Sequence, residues 1–542
     1  MLKTVILEGL AAFGAARLLP HYTSFSPYQI FFLAFALQLV GHFVYAVLIY
    51  PYWISPLRNI PGPPGGTLLY GHGVEEIGKS AGIIQHLWLK NIKNPDPNFF
   101  RYLGFFGQEK LVPISAEASR LVLTDPTFEL PGWFREGAKT LLGDGLVLAE
   151  GDAHKYLRKR VAPAFTPAQI RHFIPDFWNK CTIMNQMITD IIKSDKDDSK
   201  DTTTINMLDW TNRVTFDMIG KTAFGAEFEG LPNPDKGFYD VFNRNYPPDG
   251  FTHPLDAICM NVLPIFVPHG ILNYLPLPRY QAQLRDREVI RSRCIELIRN
   301  IDVSKIDKSE GVNQQDLLTV MVSGGEIEED VMIENMMTFI AAGFGTNAAS
   351  LVWALHALAT HPEIQTRLRK EIREKLKTPD TPLTSSLMDS MKYLHCVVME
   401  NTRLYPSIPG SWRQAMKSTT VLGLQIPKDT QFVMSSYLAN RSEKNWGPDS
   451  EEFNPDRWAE ATMKKGVEHN GQFLTYSVGH KSCIGKEYSL RAMKSVIIAL
   501  IGTFEFTFEG KKKFEMEDLV AGLTMRPRGG LKCEVKLASP WV

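Results

Sequence analysis

Residues 30–50, "IFFLAFALQLVGHFVYAVLIY", form a run of 21 residues without a formal charge. A helix needs about 20 mainly apolar residues to cross the hydrocarbon of a bilayer. The run therefore divides the chain, and whatever follows it must fold as a separate body. Gln38 and His42 dilute the run. Tyr28, Tyr45, Tyr50, Tyr52 and Trp53 gather mainly toward its ends, where amphipathic rings prefer the interface. A buried pair of core helices would also be apolar, but the flanking rings favour a membrane anchor over residues 1–54. Segment 4–16, "TVILEGLAAFGAA", is shorter and contains Glu8. It reads as either a second short span or an interfacial helix. A cleaved signal peptide fits poorly, because the longer apolar run lies well inside the chain.

"SPLRNIPGPPGG" (55–66) contains four prolines, which cannot continue a helix. It is expected to be a stiff extended hinge that sets the angle of the body against the membrane. From 67 to 542 there is no repeat and no low-complexity linker, so one large domain is expected. Helical periodicity dominates, with candidates at 168–193, 203–224, 278–301, 314–322, 327–358, 363–376, 384–404 and 486–501. Strand-like pieces sit at 100–104, 110–114, 420–425, 431–435 and 531–537. The expected fold class is mainly α with small β-sheets. Segment 327–358 is the longest apolar helix, yet Glu328, Glu329, Asp330, Glu334, Asn335 and Asn347 argue against a second membrane span. Gly343 and Gly345 cost that helix about 1 kcal/mol each relative to alanine. Either something needs close access to the backbone there, or another helix packs tightly against it.

The 59 basic side chains balance the 59 acidic ones, which argues against a nucleic-acid partner. The run Lys511–Lys513 reads as a solvated turn. Six cysteines are scattered, with no C-x-x-C, so neither a disulfide framework nor a zinc site is expected. A reducing compartment suits such a body.

One cysteine stands apart. "YSVGHKSCIG" (476–485) sets Cys483 between glycines, just before the amphipathic "IGKEYSLRAMKSVIIALIGTF". At a helix N-terminus, free N–H groups and the dipole favour an anionic sulfur. Gly479 permits a tight turn, Gly485 leaves room for a flat ligand, and Lys481 adds a cation. No histidine base with an orienting acid is visible beside it, so a nucleophilic cysteine is the weaker reading. A rigid lone thiolate suits a metal, and haem iron accepts a single axial thiolate.

The stretch resembles the haem-binding signature of the cytochrome P450 monooxygenases, with Tyr476 for the usual phenylalanine and Lys481 for the usual arginine or histidine. Companion motifs follow the family's order: "ENTR" with Glu400 and Arg403, "LYPSIPG", and "FNPDRW" with Arg457. The resemblance implies a buried Glu400–Arg403–Arg457 triad bracing the loop to the cysteine. "GDAHKYLRKRVAPAF" (151–165) resembles the family's haem-edge helix. Arg158, Arg413, Lys481 and His154, which replaces a tryptophan, would then hold the propionates of haem b, with Cys483 the axial ligand. "PGPP" and "AGLTMRPRGGL" (521–531) match as well.

In the family's oxygen-activating pattern, the long helix reads Ala342, Gly343, Phe344, Gly345, Thr346, Asn347. The groove glycine, Gly343, and the catalytic alcohol, Thr346, are present. Gly345 stands where the family has an acid, and Asn347 replaces the second threonine. Proton relay is typically worth about 10²–10⁴ in rate, and an amide cannot protonate. Water through the space left by Gly345, a substrate group, or chemistry with less proton demand would have to compensate.

The resemblance further implies monooxygenation with O2, and electrons from NADPH through a separate NADPH–cytochrome P450 reductase, with cytochrome b5 as a second donor. It places the catalytic domain in the cytosol on the endoplasmic reticulum membrane, in contact with membrane lipid. A small lipophilic substrate would meet 130–146, 335–346, 406–412 and 522–526, with Phe339, Phe344, Ile408, Trp412 and Leu523 forming an apolar pocket. The style resembles fungal members acting on terpenoid, polyketide or alkaloid metabolites. Residues 258–279 read as a membrane-dipping patch or as core. A peroxide-rearranging haem–thiolate isomerase, or a non-catalytic haem or electron-transfer protein, are the alternatives.

Overall fold

The computed structural model describes residues 10–14, 16–18, 24–77, 79–195, 202–235, 237–245, 267, 271, 274, 277–300, 316–323, 327–459, 467, 469–508, 510, 514–520 and 522–540. Most of segment 258–279, part of 4–16 and the run 511–513 lie outside the described residues.

An α-helix spans Pro27–Val44 and widens into π-helical turns over Tyr45–Ile54. Ser26 starts it with a capping box, and Pro27 at its first turn removes an N–H that would be unpaired anyway. The most apolar 18-residue stretch of these 28 residues has a mean hydropathy of 2.1 and is almost wholly uncovered by protein, so the segment is long and apolar enough to cross a membrane. The expected hinge does not hang free. The Arg101 N–H donates to the Pro61 carbonyl at 3.0 Å. A Cβ on Gly62 would lie 2.0 Å from the Arg101 carbonyl oxygen, so the segment is laid along a strand of the body.

The strands are β1 Phe99–Leu103, β2 Glu109–Pro113, β3 Phe128–Glu129, β4 Thr203–Asn206, β5 Gly410–Ala415, β6 Thr419–Val421, β7 Leu424–Ile426, β8 Gln431–Ser435, β9 Phe504–Thr507 and β10 Lys532–Leu537. Five form a sheet in the order β1-β2-β8-β5-β3, with only the β2–β8 pair parallel. In it Arg413 lies opposite Phe432, and Trp412 opposite Val433. A second sheet runs β4-β10-β9. The piece expected as one strand at 420–425 is a hairpin: Leu422 and Gly423 both have positive φ (49° and 79°), as a tight two-residue turn requires.

The core is helical. Glu329–Thr360 runs 32 residues through the middle and packs on Met207–Phe224, Lys392–Leu404 and Lys486–Thr503. Protein covers 83% of its most apolar stretch, so it is a core helix and not a membrane span. Three expected helices are shorter or broken. Residues 203–206 are strand, because the β-branched Thr203, Thr204 and Ile205 pair with β10; Asn206 then caps the helix at the Leu208 N–H. The 384–404 helix breaks at Met391, and the Glu371 carboxylate accepts from the Tyr393 and Leu394 N–H groups of the second piece. Likewise 168–193 divides at Phe173 into Pro167–His172 and Ile174–Ser194.

Candidate active site

Cys483 ends a loop that enters the helix Lys486–Thr503. Its N–H donates to the Tyr476 carbonyl at 2.8 Å, which closes the loop on itself. Gly479 has φ +81°, and a Cβ there would come within 2.9 Å of the Thr124 methyl, so this glycine docks the loop on the helix Ala116–Thr124. At Gly485 a Cβ would meet only the Cys483 sulfur, at 3.9 Å. The Tyr476 hydroxyl is engaged by Ser489, at 3.4 Å, on the helix that follows. Cys483 is exposed, yet enough protein surrounds its sulfur to desolvate it. Burial raises its thiol above the ordinary range; the Gly485 N–H, Arg158 and Lys486 oppose this without winning. The expected ionisation by the helix end is thus outweighed by desolvation, and a bound cation is needed to hold the thiolate.

Behind the loop, Glu400 and Arg403 are fully buried and joined by two contacts of 2.8 Å. Arg457 reaches Glu400 at 3.4 Å and Asp449 at 2.6 Å. Glu400 also accepts from the Asn454 N–H and the Trp458 indole. Arg403 donates onward to the carbonyls of Asn440, Ser450 and Glu452. Asn440 in turn accepts from the Leu474 N–H and donates to Thr475, which ties the triad to the cysteine loop. Asp449, Trp458 and Asn440 are members that the motifs did not reveal.

Cations gather at one edge. Arg158 donates to the Ser482 carbonyl at 2.6 Å. Arg413 is buried on β5; its guanidinium bonds its neighbour's carbonyl, at Trp412, and has no carboxylate in contact among the described residues. Lys481 is held by Glu150 at 2.6 Å and by the Ala149 carbonyl, which leaves one of its three protons for another acceptor. His154 is buried beside His480, at 5.9 Å between rings; burial first, then Lys481 and Arg158, push it down to about 4, so it is neutral near pH 7. Of these three cations only Lys481 pairs with a carboxylate, Glu150, among the described residues, so positive charge is in excess at this edge. Two propionates would balance that excess.

On the long helix every residue from 335 to 359 is buried except Ala342, Gly343 and Thr346. Residues 342 and 346 are one turn apart and share a face. The Thr346 hydroxyl donates to the Ala342 carbonyl at 2.7 Å, so its lone pairs remain as acceptors. Gly343 also serves packing: a Cβ there would lie 2.7 Å from the Ile219 methyl of the neighbouring helix. Asn347 donates to the Gly343 carbonyl at 2.6 Å, while its buried Oδ1 has no partner among the described residues.

Of the expected pocket residues, Phe344 is a correction. It sits two positions from both 342 and 346, about 200° around the helix, and packs on Phe216 and Phe242 in the core. Phe339 is buried against Phe165. Trp412 packs on Phe134 and Trp133, at ring distances of 4.9 and 5.5 Å. Ile408 and Leu523 are half-buried, on segments tied by the Met525 N–H to the Ser407 carbonyl. A polar clasp that the sequence did not suggest holds loop 142–146 to the long helix. Glu334 accepts from the Asp144 N–H, Asn335 from the Leu146 N–H, and Thr338 donates to the Leu142 carbonyl. Arg287 bridges Glu334 and the Lys139 carbonyl from the helix Pro278–Arg299.

Among the described residues no group of three or more His, Cys, Asp or Glu could hold a metal ion. One accessible sulfur, a cationic edge and a glycine-opened loop fit an iron carried in a flat, two-carboxylate macrocycle. Comparison with known proteins agrees. The family model for cytochrome P450 matches residues 61–533. Cytochrome P450 monooxygenase FUM15 of Gibberella moniliformis is 30% identical over 93% of this chain and 92% of its own length. The monooxygenase sphH of Aspergillus fumigatus is 30% identical, covering 94% of each chain. The monooxygenase ptmK of Penicillium ochrochloron is 31% identical over 93% of this chain and 98% of its own. A cytochrome P450 crystal structure superposes with a TM-score of 0.66 at 20% identity, over 82% of this chain and 92% of that one.

Proposed function

The chain belongs to the cytochrome P450 family, and from that premise we propose how this oxidoreductase works. Haem b, held by Cys483, supplies thiolate-assisted activation of O2 when bound. The observation that carries the assignment is the deep yet accessible Cys483 sulfur at the head of its helix. Arg158, Arg413, His154 and the remaining Lys481 proton orient the propionates. The triad keeps the cysteine loop rigid. Phe339, Ile408, Trp412 and Leu523 offer an apolar wall that holds a small lipophilic substrate and excludes water.

Proton delivery differs from the family pattern. Thr346 spends its own proton on Ala342 and so accepts a hydrogen bond from a water. Asn347 Oδ1, buried and unpartnered, can hold a second water nearby. Water then takes the place of the carboxylate that Gly345 lacks. The missing acid is also what favours the second reading, a peroxide-rearranging isomerase.

Electrons are proposed to come from NADPH through a separate reductase, with cytochrome b5 as an auxiliary donor. Residues 1–54 would anchor residues 67–542 at the cytosolic face of the endoplasmic reticulum. A terpenoid, polyketide or alkaloid of fungal specialised metabolism is the proposed substrate class, since the proposed pocket wall is apolar and the relatives are fungal. The test is expression of the chain with a reductase in a metabolite-producing host under ¹⁸O2. NADPH-dependent product carrying one labelled oxygen is expected. Product formed from a hydroperoxide without NADPH would establish the isomerase instead.

A further inference from the structure

Three stretches expected to meet the substrate, 335–346, 406–412 and 522–526, are joined at or beside one buried hydroxyl pair. The Ser407 hydroxyl donates to the Thr346 carbonyl at 2.9 Å. It also meets the Ser350 hydroxyl at 2.5 Å. A serine has one hydroxyl proton, and Ser407 spends it on the carbonyl, so Ser350 is the donor within the pair. The Ser407 carbonyl accepts from the Met525 N–H at 2.8 Å, and the Met525 carbonyl accepts from the Trp353 indole at 2.8 Å. Behind the pair, Asn401 donates to the Ser350 carbonyl at 2.9 Å. Asn401 directly follows Glu400 of the triad. Ser350, Ser407, Asn401, Met525 and Trp353 are all buried.

These contacts converge on one turn of the long helix. Thr346, Ser350 and Trp353 are spaced four and three apart and so share a face. In an α-helix the Thr346 carbonyl already accepts from the Ser350 N–H. With Ser407 both of its lone pairs are taken. A backbone carbonyl cannot hand a proton on, so the hydroxyl chain ends there and is no proton wire. What it does is fix position. The bond from the Thr346 hydroxyl to Ala342 lies within the helix and sets only a rotamer. The bond from Ser407 comes from another segment, and it sets where this turn stands against 406–412 and 522–526.

We propose that Ser407, backed by Ser350, is a positioning residue for Thr346, its hydroxyl pinning the Thr346 turn against the two wall segments. This rests on reading Thr346 as the alcohol of the oxygen-activating groove beside a haem iron. The test is the infrared C–O stretch of carbon monoxide on the reduced, haem-loaded full chain, which needs no substrate and responds to hydroxyl groups near the gas. Ser407→Ala should move that band by several wavenumbers and broaden it while haem content stays native. Ser407→Thr, which keeps the hydroxyl, should keep the native band. Ser350→Ala, which leaves Ser407 its bond to Thr346 but loosens its rotamer, should shift the band less and in the same direction. Thr346→Ala with and without Ser407→Ala should give the same band, because Ser407 acts through Thr346. An unchanged band in Ser407→Ala or, should that variant fail to load haem, in Ser350→Ala would overturn the proposal alone. So would a Ser407→Thr shift as large as that of alanine, or a further shift in the double variant. A native carbon monoxide complex without the long-wavelength Soret band would overturn the haem–thiolate reading and the proposal together.

Discussion

The cysteine loop and the Thr346 stretch of the long helix are built on different plans. Glu400 accepts from four residues and Arg403 serves four, and both side chains are fully buried. On the long helix, Thr346 and Asn347 each satisfy one backbone carbonyl, and Asn347 keeps an acceptor unmet among the described residues. The clasp above them joins Arg287 and Glu334, whose side chains are 22 and 17% exposed. One side is over-determined, as a rigidly held ligand would require. The other has polar capacity to spare, which is where a chain can vary its proton supply and its substrate.

The largest effect should come from breaking the rigid side. Glu400→Ala strands the buried Arg403 guanidinium, a loss of about 3–5 kcal/mol. Haem content and thermal unfolding should both collapse; a folded, haem-loaded variant with altered product selectivity would show the triad to be part of the pocket instead. Thr346→Ala should leave NADPH consumption largely intact while product per NADPH falls by about 10². Unchanged coupling would mean that the threonine holds no proton-donating water.

Gly345→Asp restores the family's acid and sharpens the contrast from the other direction. If proton supply limits turnover, coupling should rise several-fold, read as product formed per NADPH oxidised. No change would place the limit elsewhere. Smallest is Arg287→Ala. Its ion pair is partly solvated, so the expected loss of stability is about 1 kcal/mol or less, seen as a small drop in Tm. A loss comparable to Glu400→Ala would mean that the two sides are equally rigid.

The cysteine side was legible in sequence because its key residues lie in short local motifs: Glu400 and Arg403 are three apart, and Tyr476 to Gly485 is one loop. The long helix was legible from its length and its mainly apolar composition. What escaped are contacts between distant segments and the facing of side chains. Lys481 with Glu150, and Asp144 with Glu334, are pairings across 331 and 190 positions that no local pattern encodes. Phe344 carries the right chemistry for a pocket but the wrong helical phase. The stiff extended hinge at 55–66 was legible because prolines exclude a helix, while nothing local announced that the Arg101 N–H would bond the Pro61 carbonyl. Met391 breaks a helix whose composition alone would continue, because Glu371, in another helix, caps the second half.

The central claim is that Cys483 is the axial thiolate of a haem, and it is tested most directly by the carbon monoxide difference spectrum of the dithionite-reduced full chain. The account predicts a Soret band at the long-wavelength position diagnostic of thiolate ligation, and its loss in Cys483→Ala. A Soret band without that shift in the native chain, or a shifted band that survives Cys483→Ala, would contradict it.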